Sequence, residues 1–382
     1  MKIGVLTRNP EGYTMDRFRE TADKRGHELK VLDTLNFSLH VAEEKPDLGY
    51  GEGPCPDVDA IIPRIGHTIT MFGTAVVRQF EQMGTFCVNG SAAINQSRDK
   101  LRSMQILSRH TIGIPDTAFV RQRRDVLPAI ERVGGVPVII KLLEGSQGVG
   151  VILADTVKVA EAIIETLQAS KQSVLIQRFV SESRGTDVRA VVVGDRVVAA
   201  MRRRAQGQEF RSNVHRGGSV EKVDLDPRYE KAAIRAAHIL GLRFAGVDML
   251  EAKGGPQVME VNSSPGLEGV ESATGVDVAG ELFDLIEREA KFPDVDLRQR
   301  LSVGSGYAVV EMVVDADSPL AGTTIADSNL RDEEVLVLNV ERGGLKFPAP
   351  RGAQELMAGD KLLLFGKQLT LEALISGKSE SA

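Results

Sequence analysis

The stretch Gly246-Val247-Asp248-Met249-Leu250-Glu251 and its neighbour Gln257-Val258-Met259-Glu260-Val261-Asn262 flank Lys253-Gly254-Gly255-Pro256. Two β-rich runs around a Gly-Gly-Pro turn read as a hairpin. With the turn centred on Gly254, Asp248 stands opposite Glu260, their Cβ atoms about 4.5–5.5 Å apart. Asn262 lies two residues beyond Glu260 and shares its face, because strand side chains alternate. Opposed carboxylates destabilise a sheet unless a cation neutralises them. Mg²⁺ favours such a site, a few carboxylates completed by substrate phosphates. A solvated polar face is the alternative. Val247, Met249, Val258, Met259 and Val261 argue against it, since they make a hairpin that reads as buried.

Working outward, Val138-Ile139-Ile140-Lys141 leads into a loop containing Gly145, Gly148 and Gly150. Glycines let backbone N–H groups close on an anion, and a lysine adds a point charge for phosphate. The loop lacks G-K-[ST] and is not a Walker A motif. From Arg184 to Arg216 eight arginines (184, 189, 196, 202, 203, 204, 211, 216) face only Asp187, Asp195 and Glu209, a net of +5. Alternation in 187–193 puts Asp187 and Arg189 on one strand face, and Arg211-Ser212-Asn213 falls in a loop. Such clusters suit phosphates and carboxylates, which arginine grips with paired hydrogen bonds. RNA is the rival, but no aromatic platform interleaves the arginines. Other schemes find little support. The six histidines show no H-x-x-H or H-E-x-x-H spacing, and no G-x-S-x-G elbow exists. Cys87 lies in an apolar strand and packs. His215 borders the basic loop.

The rest of the chain sets the frame. Its 382 residues predict two or three domains at about 150 residues each. A hydrophobic fraction of 42% with 26% charged residues is that of a soluble globular chain. No apolar run approaches the ~18 residues of a membrane span, and the start, MKIGVLTRNPEG, reads as a strand rather than a signal peptide. Two cysteines, Cys55 and Cys87, give no Cys-based zinc site, and a reducing cytoplasm fits. A net charge of −6 argues against bulk nucleic-acid binding. Strands at 2–7, 27–33, 58–65 and 86–89, with helices at 15–25 and 74–80, predict parallel α/β units. The first turn, Thr7-Arg8-Asn9-Pro10-Glu11-Gly12, lacks the G-x-G-x-x-G of a dinucleotide site. A helix is expected over Asp99–His110. After a charged connector at 291–302, strands at 307–314, 335–340 and 361–365 predict a small strand-rich domain over 303–376. That segment carries a net of −5, leaving −1 for the remainder.

Lys141, its glycine loop, L-I-Q-R-F-V (175–180) and M-E-V-N-S-S-P-G-L-E-G (259–269) together resemble the ATP-grasp superfamily. R-D-K-L-R-S-M-Q (98–105), F-R-S-N-V-H-R-G-G (210–218), P-R-I-G-x-x-I-T (63–70) and G-T-A-V-V-R-Q-F-E (73–81) resemble RimK, the α-L-glutamate ligase family that extends the C-terminus of a small-subunit ribosomal protein. The resemblance runs over residues 1–290. It implies an α/β pre-ATP-grasp domain (1–95) and an α+β ATP-grasp domain (96–290). It implies that Lys100 and Lys141 meet nucleotide phosphates, that Gln177, Arg178, Phe179 and Val180 meet adenine largely through backbone, and that Asp187 contacts the nucleotide. Arg211, Ser212 and Asn213 match the loop at the reacting phosphate, with Arg211 and Asn213 as catalytic candidates. Asp248, Glu260 and Asn262 match the metal ligands, for Mg²⁺ or Mn²⁺ and two ions. Arg178 departs from the acidic residue common at that position in the family. The tail resembles the TrkA-C or RCK-C ligand-binding module through 318–327, 335–344 and 356–366.

These readings imply an ATP-dependent carboxylate–amine ligase acting through an acylphosphate. L-glutamate is the expected amine and a ribosomal-protein C-terminus the expected acceptor, with poly-α-glutamate as a further product. Arg189, Arg202 and Arg203 are the candidates for holding carboxylates. Another amino acid on another acceptor, or an ATP sensor without catalysis, are the alternatives. A cytoplasmic homo-oligomer binding neither nucleic acid nor membrane is expected, its tail regulating or assembling.

Overall fold

The computed structural model describes residues 1–43, 46–143, 150–207, 209–212, 218–291 and 306–376. The chain divides into two units, Met1–Pro293 and Asp294–Ala382.

The first unit opens with β1 (Lys2–Thr7), α1 (Tyr13–Lys24), β2 (Glu28–Asp33), β3 (Phe37–His40), β4 (Asp47–Tyr50), β5 (Gly53–Pro54), β6 (Ala60–Pro63), α2 (Thr70–Gln82) and β7 (Phe86–Cys87). The sheet order β2-β1-β6-β7 is parallel throughout, as the α/β alternation predicts. Met15, Phe18 and Ala22 form the buried stripe of α1, and Gly26 at φ +69° ends the turn that follows it. The antiparallel meander β3-β4-β5 was not legible, because its strands are four, four and two residues long. The helix expected over 99–110 is α4 (Lys100–Arg109), preceded by a separate α3 (Ser91–Arg98). Asp99 breaks the two with ψ 101° and caps α4, accepting from the Arg102 amide at 2.9 Å. Arg98 thereby ends one helix and Lys100 begins the next.

A small antiparallel lobe follows: β8 (Thr117–Val120), α5 (Val126–Arg132), β9 (Val138–Leu142), β10 (Val151–Ala154), α6 (Val157–Ala169) and β11 (Val174–Arg178), in the order β10-β9-β11-β8. Val138, Ile140, Val174 and Ile176 pack with Ile130 and Ile164 of the helices. Alternation therefore turns Ile139, Lys141, Leu175 and Gln177 to the opposite face.

The large lobe comprises β12 (Thr186–Val193), β13 (Arg196–Arg204), β14 (Ser219–Lys222), α7 (Pro227–Ile239), β15 (Phe244–Ala252), β16 (Gly255–Asn262), α8 (Glu268–Thr274) and α9 (Val278–Glu289), with sheet order β14-β13-β12-β15-β16. Val188, Ala190 and Val192 pack with the alanines of α7. Val191 and Val193 join Phe244, Leu282 and Phe283 on the other side. Asp187 and Arg189 share that second side but lie beyond the core, at the open end of the sheet.

The second unit is an antiparallel sheet of β17 (Tyr307–Val313), β18 (Leu336–Arg342), β19 (Leu345–Pro348) and β20 (Lys361–Lys367), ordered β17-β20-β18-β19, followed by a helix over Gln368–Ser376. The three expected strands are present. The fourth strand and the helix were not anticipated. Leu330, Val335, Val340, Leu356, Leu362 and Leu364 form its core. Asp360, fully buried there, accepts two hydrogen bonds at 2.7 Å from Arg342.

Candidate active site

A cleft of about 1940 Å³ in the first unit is lined by the small lobe, the large lobe and the ends of β1 and β6. The hairpin of β15 and β16 supplies one wall. Asp248 pairs with Glu260 and Gly246 with Asn262, as the turn arithmetic required. Toward the turn the register shifts, so that Met249 pairs with Val258. Met259 is the extra residue of a β-bulge. The bulge explains why Val258 and Val261, three apart, both pack in the core, while Met259, Glu260 and Asn262 line the cleft.

The electrostatics of this wall differ from the expectation of two carboxylates awaiting a cation. Asp248 accepts from Arg189 Nε and Nη2 at 2.6 Å each, and Arg203 Nη2 lies 2.9 Å from its Oδ2. Arg203 also grips Asp187 through Nε at 2.6 Å and Nη2 at 2.7 Å, and the Ser212 hydroxyl donates to Asp187. Burial pushes the Asp248 carboxyl upward, but Arg189 and Arg203 outweigh it and hold the group below its ordinary value. Burial pushes Asp187 upward, against the pull of Arg203. The two carboxylates and two guanidiniums form a buried, charge-balanced network.

Arg202 departs from the expectation that grouped it with Arg189 and Arg203. It does not line the cleft, and it holds Glu251 at 2.8 Å instead. Neighbours on a strand face opposite ways, so Arg203 points in and Arg202 out. The carboxylates that Arg189 and Arg203 hold here are the chain's own.

Glu260 and Asn262 are half-buried, and their side chains make no hydrogen bond or ion pair among the described residues. Such oxygen donors fit a hard cation. The third expected donor, Asp248, is taken up by its arginines. Among the described residues no group of three or more His, Cys, Asp or Glu gathers as a metal cluster.

Across the cleft, Lys141 projects from β9. Desolvation pushes its pKa down to about 8, with Glu260 pulling the other way. Lys100, at the start of α4, donates to the Leu143 carbonyl at 3.1 Å, and burial lowers its pKa as well. Gln177 is buried and donates to the Thr117 hydroxyl at 2.8 Å. Arg178 is exposed, its amide bonded to the Asp116 carbonyl at 2.8 Å and its side chain 3.9 Å from that carboxylate. Phe179 is half-buried, 6.0 Å from the Arg184 guanidinium, and Val180 is buried. Arg211 is bound by Glu209 at 2.8 and 3.0 Å and reaches the Val151 carbonyl of the small lobe at 3.4 Å. Arg211 draws Glu209 down to about 2. Gly145, Gly148, Asn213 and His215 lie outside the described residues. Arg98 and Arg64 also line the cleft, though sequence reasoning assigned them no role. Both sit within motifs already singled out (98–105 and 63–70), and both are half-buried without an ion pair among the described residues.

A cleft between an antiparallel lobe carrying a half-buried lysine and a second sheet carrying oxygen donors defines the ATP-grasp class of ligase. Comparison with known proteins agrees. Residues 97–286 match the RimK-like ATP-grasp domain, 1–94 the RimK pre-ATP-grasp domain and 309–376 the TrkA-C domain. A "Probable alpha-L-glutamate ligase" of Rhodopirellula baltica is 59% identical over 378 residues, 99% of this chain and 93% of that one. One of Vibrio parahaemolyticus is 52% identical over 291 residues, 76% and 97% of the respective chains. Among solved structures, the ATP-grasp ligase PsnB complexed with a phosphomimetic variant of minimal precursor, Mg and ADP shares the fold at 21% identity and TM-score 0.59, over 75% of this chain and 97% of that one. A RimK domain ATP-grasp protein from Sphaerobacter thermophilus does so at 23% and 0.57, over 75% and 100%. The chain belongs to the RimK family of ATP-grasp ligases, enzymes that form C–N bonds at the expense of ATP. Among the described residues no helix is long and apolar enough to cross a membrane.

Proposed function

We propose that this chain adds L-glutamate, through its amine, to the C-terminal carboxylate of a protein. A small-subunit ribosomal protein is the favoured acceptor, and poly-α-glutamate is the product when glutamate chains grow. The observation that carries the reading is the pairing of free oxygen donors, Glu260 and Asn262, with Lys141 across one cleft. A carboxylate does not react with an amine because oxide is a poor leaving group. Phosphorylation by ATP turns that oxygen into phosphate, the amine attacks the acylphosphate, and phosphate departs. The protein's part is positioning and charge neutralisation.

Lys100 and Lys141 receive nucleotide phosphates, with the backbone of 177–180 against adenine. Glu260 and Asn262 would hold the divalent cations, Mg²⁺ or Mn²⁺, with Asp248 as the third donor. Bound metal supplies neutralisation of the phosphate oxygens. Arg211, released from Glu209, stabilises the transferring phosphoryl group and the tetrahedral anion, with Ser212 and Asn213 beside it. Arg189 and Arg203 line the same cleft as candidates for holding a substrate carboxylate. The second unit regulates or assembles the enzyme as a homo-oligomer in the cytoplasm.

The test is mass spectrometry of purified small-subunit ribosomal proteins incubated with ATP, Mg²⁺ and each amino acid in turn. Stepwise additions of one glutamate residue at a C-terminus are expected, and they are lost in Glu260→Gln. A different amino acid incorporated, or ATP bound without turnover on any acceptor, refutes the reading.

A further inference from the structure

The large lobe matches each arginine that points into the cleft to a carboxylate of the chain itself: Arg189 to Asp248, Arg203 to Asp187 and Asp248, Arg211 to Glu209. Arg64 breaks this pattern. It follows β6, and its amide donates to the Leu6 carbonyl at 2.8 Å, extending the β1–β6 ladder. Its guanidinium lies 5.9 Å from the Phe18 ring centroid, and Nη1 donates to the Pro265 carbonyl at 3.1 Å. It makes no ion pair among the described residues. Desolvation pushes its pKa down to about 10, with no opposing charge nearby.

The position is held firmly. The Ser264 hydroxyl donates to the Pro63 carbonyl at 3.2 Å, stapling the segment that leaves Asn262 to the end of β6. Arg98 donates to the neighbouring Ile65 carbonyl, and its own Nε is buried without a partner. A desolvated guanidinium facing one neutral acceptor is costly. In the large lobe a carboxylate removes that cost. Here the counter-ion is left to a ligand, and a planar guanidinium suits a carboxylate. On the ligase reading Lys100 and Lys141 serve phosphate, which leaves Arg64, with Arg98 beside it, for a substrate's carboxylate on this side of the cleft.

We propose that Arg64 binds a carboxylate of the ligase's acid substrates, offered from the N-terminal sheet beside the segment that follows Asn262. The inference rests on the ligase reading. Its test uses full-length Arg64→Met and Arg64→Lys with ATP, L-glutamate and the acceptor N-acetyl-diglutamate. ADP release gives a KM for each carboxylate substrate, calorimetry gives ATP affinity, and thermal melts give stability. In Arg64→Met one of the two KM values rises about ten- to a hundredfold, the loss of a charged hydrogen-bond partner. ATP affinity is unchanged and Tm is equal or higher, because a half-buried cation without a counter-ion has gone. Lysine restores part of the KM. A change in the glutamate KM assigns the site to the incoming amino acid, and a change in the peptide KM assigns it to the acceptor. Unchanged KM values, or a Met variant that melts lower and loses ATP, overturn the proposal. Should wild type release no ADP with these probes, N-acetyl-diglutamate is no acceptor, and the ligase reading is decided by the ribosomal-protein assay. Arg64 is then judged by whether glutamate raises the Tm of wild type and not of Arg64→Met, and no rise in wild type overturns it.

Discussion

Replacing Arg203 by methionine should be among the most damaging single changes in the first unit that leave its apolar core intact. Arg203 is 8% exposed, Asp187 3% and Asp248 4%. In the wild type the two carboxylates are balanced by Arg189 and Arg203. After Arg203→Met, Arg189 stays on Asp248 and Asp187 keeps only the Ser212 hydroxyl. Removing one partner of a buried pair costs about 3–5 kcal/mol, because it strands a charge. At roughly 2 °C per kcal/mol for a unit of this size, Tm should fall by about 6–10 °C. The sign with pH is also fixed. Asp187 already sits above its ordinary value through burial, and losing the guanidinium raises it further. A carboxyl raised in the folded state penalises folding fully above its folded pKa, and the penalty shrinks as pH falls below that value and vanishes below the unfolded one. The gap between variant and wild type should therefore narrow from pH 7.5 to pH 5 in circular-dichroism melts. Asp187→Asn combined with Arg203→Met should recover part of the loss. A Tm within about 2 °C of wild type at pH 7.5, or a gap that widens in acid, would refute this account of the network.

Other outcomes follow from the same geometry. Lys141, at about 8 against 10.5 unfolded, penalises folding below about pH 8, and the penalty eases as pH rises toward 10.5. Phosphate binding should restore its charge, with uptake of about 0.7 proton at pH 8.5. Calorimetry of ADP binding in buffers of different ionisation enthalpy measures this, and Lys141→Met should abolish it. In the second unit Arg342 holds the Asp360 carboxyl below its ordinary value. That stability is present above about pH 4 and lost as pH falls through the folded value, and Asp360→Asn should cost about 3 kcal/mol at neutral pH in urea titration of 303–382. Residues 1–293 alone should remain folded, with ADP release within about twofold of the full chain; an aggregated or molten product contradicts the division into units.

Chemistry that depends on strand alternation was legible from sequence, and chemistry that depends on three-dimensional neighbours was not. The facing of Asp248 and Glu260 needed only a turn and a period of two. Lys141 announced itself as a charge ending an apolar run. Asp248 and Glu260 face each other although the turn-side register differs by one residue, because the bulge at Met259 restores it. Arg189 and Arg203 as the cations beside Asp248 were hidden, because they reach it from β12 and β13 across sequence gaps of 59 and 45 positions. The outward facing of Arg202 was hidden because composition counts an arginine without saying which way it faces. The meander at 37–54 escaped because strands of two to four residues carry almost no periodic signal. Arg64 could not be singled out, since an unpaired arginine is recognised only by what is missing around it.

The bulge at Met259 is a parity switch. A strand sorts its residues into odd and even, one class to the core and the other to the cleft, and the extra residue reverses the sorting midway. Val258 obeys one rule and Val261 the other, yet both are buried. Losing one residue between Gly255 and Glu260 would keep the composition of the hairpin nearly unchanged while making its halves disagree. Either Val258 would be turned into the cleft, or Glu260 and Asn262 would be turned into the core. Evolution can therefore lengthen or shorten this hairpin at its tip far more freely than it can edit the single position where the count changes.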